Sequence, residues 1–172
     1  EIQSDVAHFI LNMQVARQEP APRQRLQYSG SNAAAASPKE RQRHLANLLE
    51  AVRRSHDELA HLIALEQGKP VAEARALDLV PAADALRYLS RFAEGLLAPR
   101  PVDYEQILFA HKAASYRYEP LGVVAVITPW NFPFAIPMVE IAACLAAGNT
   151  VVLKPASATA QTGLAIGELC RR

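Results

Sequence analysis

Two side chains stand where chemistry is done, each just past a run of strand formers. Asn131 lies in TPWNFPF (128–134), after GVVAVI and between Pro129 and Pro133. A carboxamide NH₂ donates a hydrogen bond without carrying charge, so it can stabilise an oxyanion as that develops. The flanking prolines fix the backbone on both sides and hold the side chain where it points. Local spacing equally allows Asn131 to satisfy only its own loop backbone. Lys154 ends TVVLK (150–154) with no carboxylate close in sequence. It suits a phosphate or a ribose hydroxyl, and equally an exposed lysine at a strand end.

These residues meet only if their strands are neighbours. GVVAVIT is a continuous β-branched run, the pattern of a strand buried on both faces of a parallel sheet, and TVVLK repeats it. The stretch 135–147, AIPMVEIAACLAA, reads as a helix with AGN as its C-cap, and 159–170 reads as another. Strand, helix, strand, helix with short connections is a βαβ unit, whose ligands gather at the carboxyl ends of its strands.

Upstream the pattern is helical. Ser37-Pro38-Lys39-Glu40 is a capping box with proline at the first helical position, followed by the stripe Leu45, Leu48, Leu49, Val52. Ser55-His56-Asp57-Glu58 reads as a second box, and EQGKP (66–70) as the stop, with Gly68 past the last turn and Pro70 beyond. A third run covers 71–97, with Leu77, Val80, Leu86, Leu89, Phe92 and Leu96 inward and Pro81 set to kink or divide it. The period then changes, and ILFAH (107–111) and SYRYE (115–119) read as a hairpin. Near the start, Val6, Phe9, Ile10 and Met13 space out one short amphipathic helix before a loop rich in proline, glycine and serine. The expected class is α/β: N-terminal helices and a β-hairpin leading into the start of an open Rossmann-like parallel sheet. Its segments are a helix and wrapping loop (1–36), a helical part (37–103), a hairpin (104–119) and a βαβα segment (120–172).

Composition narrows the function classes. A net charge of +1 with no block of like charge argues against a nucleic-acid binder, which needs a clustered basic face. No apolar stretch reads as a secretory or membrane segment. Two cysteines without CxxC spacing point to a reducing, cytoplasmic setting. Cys144, mid-helix among alanines, reads as a small core hydrophobe, and Cys170 has no partner histidine. His56 and His61 are five apart rather than four, and His8, His44 and His111 are isolated, so no metal site is expected. Gly163-Ala165-Gly167 has no strand before it and is not a dinucleotide fingerprint.

EPLGVVAVITPWNFPF, LAAGNTVVLKPAS and LEQGKP, in this order, resemble the aldehyde dehydrogenase superfamily, most densely from Tyr118 to Ser157. The resemblance implies oxidation of an aldehyde substrate to the acid through a cysteine thiohemiacetal, with hydride passing to NAD or NADP. It implies that Asn131 donates to the oxyanion, and that Ile127, Thr128, Pro129 and Trp130 line the cofactor's path. Lys154, with Pro155, Ala156 and Ser157 after it, would hold the adenosine ribose. The family often has a glutamate where Ser157 stands; a neutral hydroxyl does not repel a 2′-phosphate, so NADP is expected to be tolerated or preferred.

The family's nucleophilic cysteine and general-base glutamate lie downstream of the matched motifs. The chain opens on Glu1 and ends at Arg172 within a helical pattern, which reads as the N-terminal part of a longer enzyme, inactive alone. The resemblance implies that the 104–119 hairpin is of oligomerisation type and that the whole protein is a homo-oligomer (dimer or tetramer). The alternatives are a naturally short, non-catalytic subunit pairing with a full-length dehydrogenase through its hairpin, and a bare nucleotide-binding module.

Overall fold

A computed structural model of the protein describes residues 14–15, 36–102 and 112–171. Ser37 opens the first helix, α1 (Pro38–Arg54), through a complete capping box: its hydroxyl accepts from the Glu40 N–H, and the Glu40 carboxylate accepts from the Ser37 N–H at 2.7 Å. Leu45, Leu48 and Val52 form its buried stripe. Arg41 is buried too. Its Nε donates to the Ala146 carbonyl at 2.9 Å and its Nη1 to that of Ala36 at 2.7 Å, and burial pushes its pKa down.

Helix α2 (His56–Gln67) follows after one residue. The second capping box does not form, because Ser55 must end one helix while starting the next. Its φ of −96° and ψ of 12° are far from the extended geometry that lets a serine hydroxyl reach the N3 amide. Gly68 ends α2 as expected, in the left-handed region at φ 83°, with its N–H on the Ala64 carbonyl.

The third helical run divides as Pro81 demands, but upstream of it. A short α3 (Val71–Glu73) opens into a π-helical segment, Ala74–Leu79, before α4 (Val80–Leu96). A proline has no N–H and crowds the carbonyl four residues back. The wider turn relieves this, and the Val80 N–H reaches the Arg75 carbonyl, five residues back. The extra residue rotates the inward face. Ala74, Asp78, Leu79, Ala82, Leu86 and Ala93 are buried, whereas Leu77, Val80, Phe92 and Leu96 of the expected stripe are exposed. Phe92 instead lies against Tyr88, ring centroids 5.1 Å apart.

The antiparallel pair is β2 (Arg100–Val102) with β3 (Ala114–Tyr116), Pro101 opposite Ser115. The second expected hairpin strand is thus present in part, paired with residues read as the end of the helical segment. The expected strand 107–111 and the N-terminal helix lie outside the described residues.

The parallel sheet has β5 (Thr150–Lys154) in the middle, β4 (Val123–Ile127) on one side and the two-residue β1 (Gln14–Val15) on the other. Helix α5 (Ala135–Ala146) joins β4 to β5, and α6 (Ala160–Arg171) follows a 3₁₀ turn at Ser157–Thr159. Gly148, φ 86°, makes the turn out of α5. Phe134, Met138, Ile141, Val151, Leu153 and Ile166 close the core against α1 to α4. Strand β4 departs from the expected two-sided burial. Val126 is buried, but Val123, Ala125 and Ile127 are exposed on its other face. As the outer strand of this sheet it is covered on one side only.

Candidate active site

The two strand tips that carry the candidate residues end side by side. Ile127 is in register with Lys154, and the Thr128 N–H donates to the Lys154 carbonyl at 3.2 Å. The loops 128–134 and 155–159 therefore leave the sheet at one level, at the strand ends where ligands of open α/β sheets gather. Ile127 is 72% exposed and Trp130 59%, with Pro129 and Asn131 also open, whereas Thr128 is buried beneath them. Lys154 is exposed, its Nζ 3.3 Å from the carbonyl of its own neighbour, Pro155. Pro155 is buried, Ala156 half-buried and Ser157 exposed.

Asn131 is held by its backbone. The Gln67 Nε2 donates to the carbonyls of Trp130 (2.9 Å) and Asn131 (2.8 Å), and the Lys69 Nζ donates to the latter at 3.0 Å. The contacts of Asn131 are all to its carbonyl oxygen, which leaves its carboxamide uncommitted. Lys69 also lies over the Phe132 ring, 5.1 Å from the centroid.

Asp78 anchors this loop from below. It is fully buried, pairs with Lys69 at 2.7 Å, and its other oxygen accepts from the Phe134 and Ala135 N–H groups at 3.1 Å each. Those donors open α5, so a carboxylate sits at the helix's positive end. The π-helical segment turns Asp78 inward, while Arg75 of the same segment pairs with Asp57.

The second loop hangs from the same helix end. Glu66 accepts from the Gln161 N–H at 2.7 Å, the Thr162 N–H at 2.8 Å and the Thr162 hydroxyl at 2.7 Å. An internal carboxylate thus fills the N-terminus of α6, the position where a dinucleotide fold commonly offers amides to phosphate. Gly163 completes the joint, since a Cβ there would stand 2.5 Å from the Pro155 ring.

In the sequence EQGKP reads as a helix stop, and Glu66, Gln67, Lys69 and Asp78 are not among the expected site residues. The available signals were three polar side chains crowded at one helix end, and an aspartate between Leu77 and Leu79 in an apolar run.

Beside Asn131 an apolar groove of about 410 Å³ is lined by Leu77, Phe132, Ala135, Ile136, Val139 and Glu140. Neither cysteine has the lowered pKa of an activated nucleophile. Burial, then the Glu140 charge, pushes the Cys144 thiol up, and burial pushes the Cys170 thiol up to about 12. Among the described residues no group of His, Cys, Asp and Glu could hold a metal ion, and no helix is long and apolar enough to cross a membrane.

Comparison with known proteins agrees with this geometry. The model of the aldehyde dehydrogenase family matches residues 24–172. An E. coli NADP-dependent enzyme is 38% identical over 80% of this chain, with a TM-score of 0.72. An aldehyde dehydrogenase from Brucella melitensis biovar abortus 2308 is 34% identical over 83%, TM-score 0.75. PnpE in complex with nicotinamide adenine dinucleotide is 34% identical over 80%, TM-score 0.71. The chain spans 28%, 28% and 27% of the length of these structures, respectively. A profile match over most of its length, on a fold whose strand tips carry PWNFP and KPAS in register, means that the chain belongs to the aldehyde dehydrogenase family.

Proposed function

We propose that this chain supplies the side-chain half of an oxyanion hole and the adenosine side of a nicotinamide-cofactor site to an enzyme that oxidises an aldehyde to its acid. The observation carrying this reading is Asn131: its backbone carbonyl is fixed by two side chains while its carboxamide stays uncommitted and exposed. A neutral NH₂ aimed at the aldehyde oxygen stabilises charge as it develops and moves no proton. The substrate's hydrocarbon part lies along the Phe132–Ile136–Val139 groove.

The residues present fit a dinucleotide. Ile127 and Trp130 offer exposed apolar surface at one strand tip, and Lys154 offers an ammonium at the other for a ribose hydroxyl. NAD or NADP bound there supplies the hydride acceptor. Because Glu66 already accepts from the Gln161 and Thr162 amides, those amides would not be the ones to hold a cofactor's pyrophosphate. Ser157 places no carboxylate near the ribose, so a 2′-phosphate meets no repulsion and NADP is accepted. The likeness to an E. coli NADP-dependent enzyme favours the same reading. A protein that binds NAD at least a hundredfold more tightly than NADP would overturn it.

The site has a donor but no thiolate, given the raised thiols of Cys144 and Cys170. The 172-residue chain by itself therefore has no dehydrogenase turnover. The exposed β3 edge suits assembly into a homo-oligomer. The deciding experiment is Asn131→Ala in the protein that carries this chain. Loss of one oxyanion donor should lower kcat by about 10²–10³ and leave cofactor affinity within about threefold. Unchanged kcat would refute the assignment.

A further inference from the structure

On the reading that Asn131 is the oxyanion donor, we propose that Gln67 is a positioning residue for it, with the Lys69–Asp78 pair as its support. Two peptide planes meet at the Asn131 Cα. The Trp130 carbonyl belongs to the plane before it and the Asn131 carbonyl to the plane after it. Gln67 Nε2 holds both oxygens, at 2.9 and 2.8 Å. Fixing both planes fixes φ and ψ of Asn131, and with them the direction of its Cα–Cβ bond. The carboxamide's aim is thus set by a side chain that never touches substrate.

The Gln67 side chain is committed to this task. Its Oε1 is buried without a hydrogen-bond partner, an arrangement proteins avoid unless the rest of the group is well used. Both of its hydrogen bonds are donated to the two carbonyls. Lys69 adds a third donor to the Asn131 carbonyl, and its charge is matched by Asp78, fully buried and itself tied to the Phe134 and Ala135 amides. The loop from Trp130 to Ala135 is therefore clamped at both ends by residues 67–78.

A group acting through Asn131 must lose its effect when Asn131 is gone, which a merely structural group would not. The test measures kcat and cofactor Kd in the protein that carries this chain, for Gln67→Met, Asn131→Ala and the double variant, with thermal midpoints alongside. Gln67→Met should lower kcat about 10- to 100-fold with cofactor Kd within threefold, since misplacing a reacting group by about 1 Å costs about 10²-fold. Added to Asn131→Ala, it should lower kcat less than twofold further. Multiplying losses in the double variant would overturn the positioning role and leave the oxyanion reading intact. An Asn131→Ala enzyme at full kcat would overturn both. If Gln67→Met does not fold, Gln67→Glu keeps the shape. Its carboxylate repels the two carbonyls, so kcat should recover as pH falls and the introduced acid regains a proton to donate. A pH profile parallel to that of the unsubstituted enzyme would overturn the proposal.

Discussion

Removing the Glu66 carboxylate tests whether the first turn of α6 is held by an internal anion. Glu66→Ala deletes three hydrogen bonds at once. Gln161 is exposed, so its amide returns to water at a cost of about 1 kcal/mol, the usual price of a lost N-cap. Thr162 is fully buried, so its amide and hydroxyl both lose their partner, at about 1–3 kcal/mol each. The local cost is about 3–7 kcal/mol, which is roughly 10²–10⁵ in the opening equilibrium of that turn. Hydrogen exchange followed by mass spectrometry over residues 157–165 reads this directly, as faster exchange in the variant. A second arm adds inorganic phosphate. With the carboxylate gone, the freed amides and helix dipole form an anion site. Millimolar phosphate should slow exchange in Glu66→Ala and leave the unsubstituted protein unchanged. Equal slowing in both, or unchanged exchange on substitution, would refute the reasoning.

Two further outcomes follow from the same geometry. Gly163→Ala should lower the thermal midpoint even though alanine favours helices by about 1 kcal/mol, because its methyl would overlap the rigid Pro155 ring, and overpacking costs about 1–3 kcal/mol; an unchanged or raised midpoint would show that the joint yields. The Cys170 thiol, raised by burial from its ordinary 9.0 to about 12, holds its proton in the folded state. Its contribution to stability is complete below pH 9 and is lost as pH rises toward 12, because the unfolded chain ionises first. Thiolate absorbance should therefore appear at lower pH in denaturant than in buffer, and coincident titrations would contradict the burial.

Features that rest on neighbouring residues could be read from the sequence. Ser37 with Glu40, Gly68 with Pro70, and two β-branched runs each followed by a helix carry their signals within a few positions. The tips of β4 and β5 followed from that alternation, and so did the candidate site. What escaped depends on partners far along the chain. Glu66 meets Thr162 across 96 positions, and Asp78 meets Phe134 across 56. Residue type hints that such side chains need a partner but does not say which. Pro81 announced a break, yet relief came one turn earlier as a π-helical segment, and a single added residue turned Leu77 and Phe92 outward. Ser55 had the composition of a cap and lacked the backbone geometry, because two helices share it.

The stretch 66–78 has one further consequence, for modularity. The strand–helix–strand–helix unit from Val123 onward resembles a portable part that recombination could move between scaffolds. It is not one. The brackets for both its loops are encoded 56 to 96 positions before the groups they hold, in the stretch 66–78. A transplant starting at Pro120 would carry the asparagine and the lysine but leave behind what aims and spaces them. A chain break between 79 and 120, by contrast, would keep every bracket with its loop through tertiary contact alone. Split variants cut there are the ones to attempt, and the inheritance of this site runs with the pair of segments rather than with either.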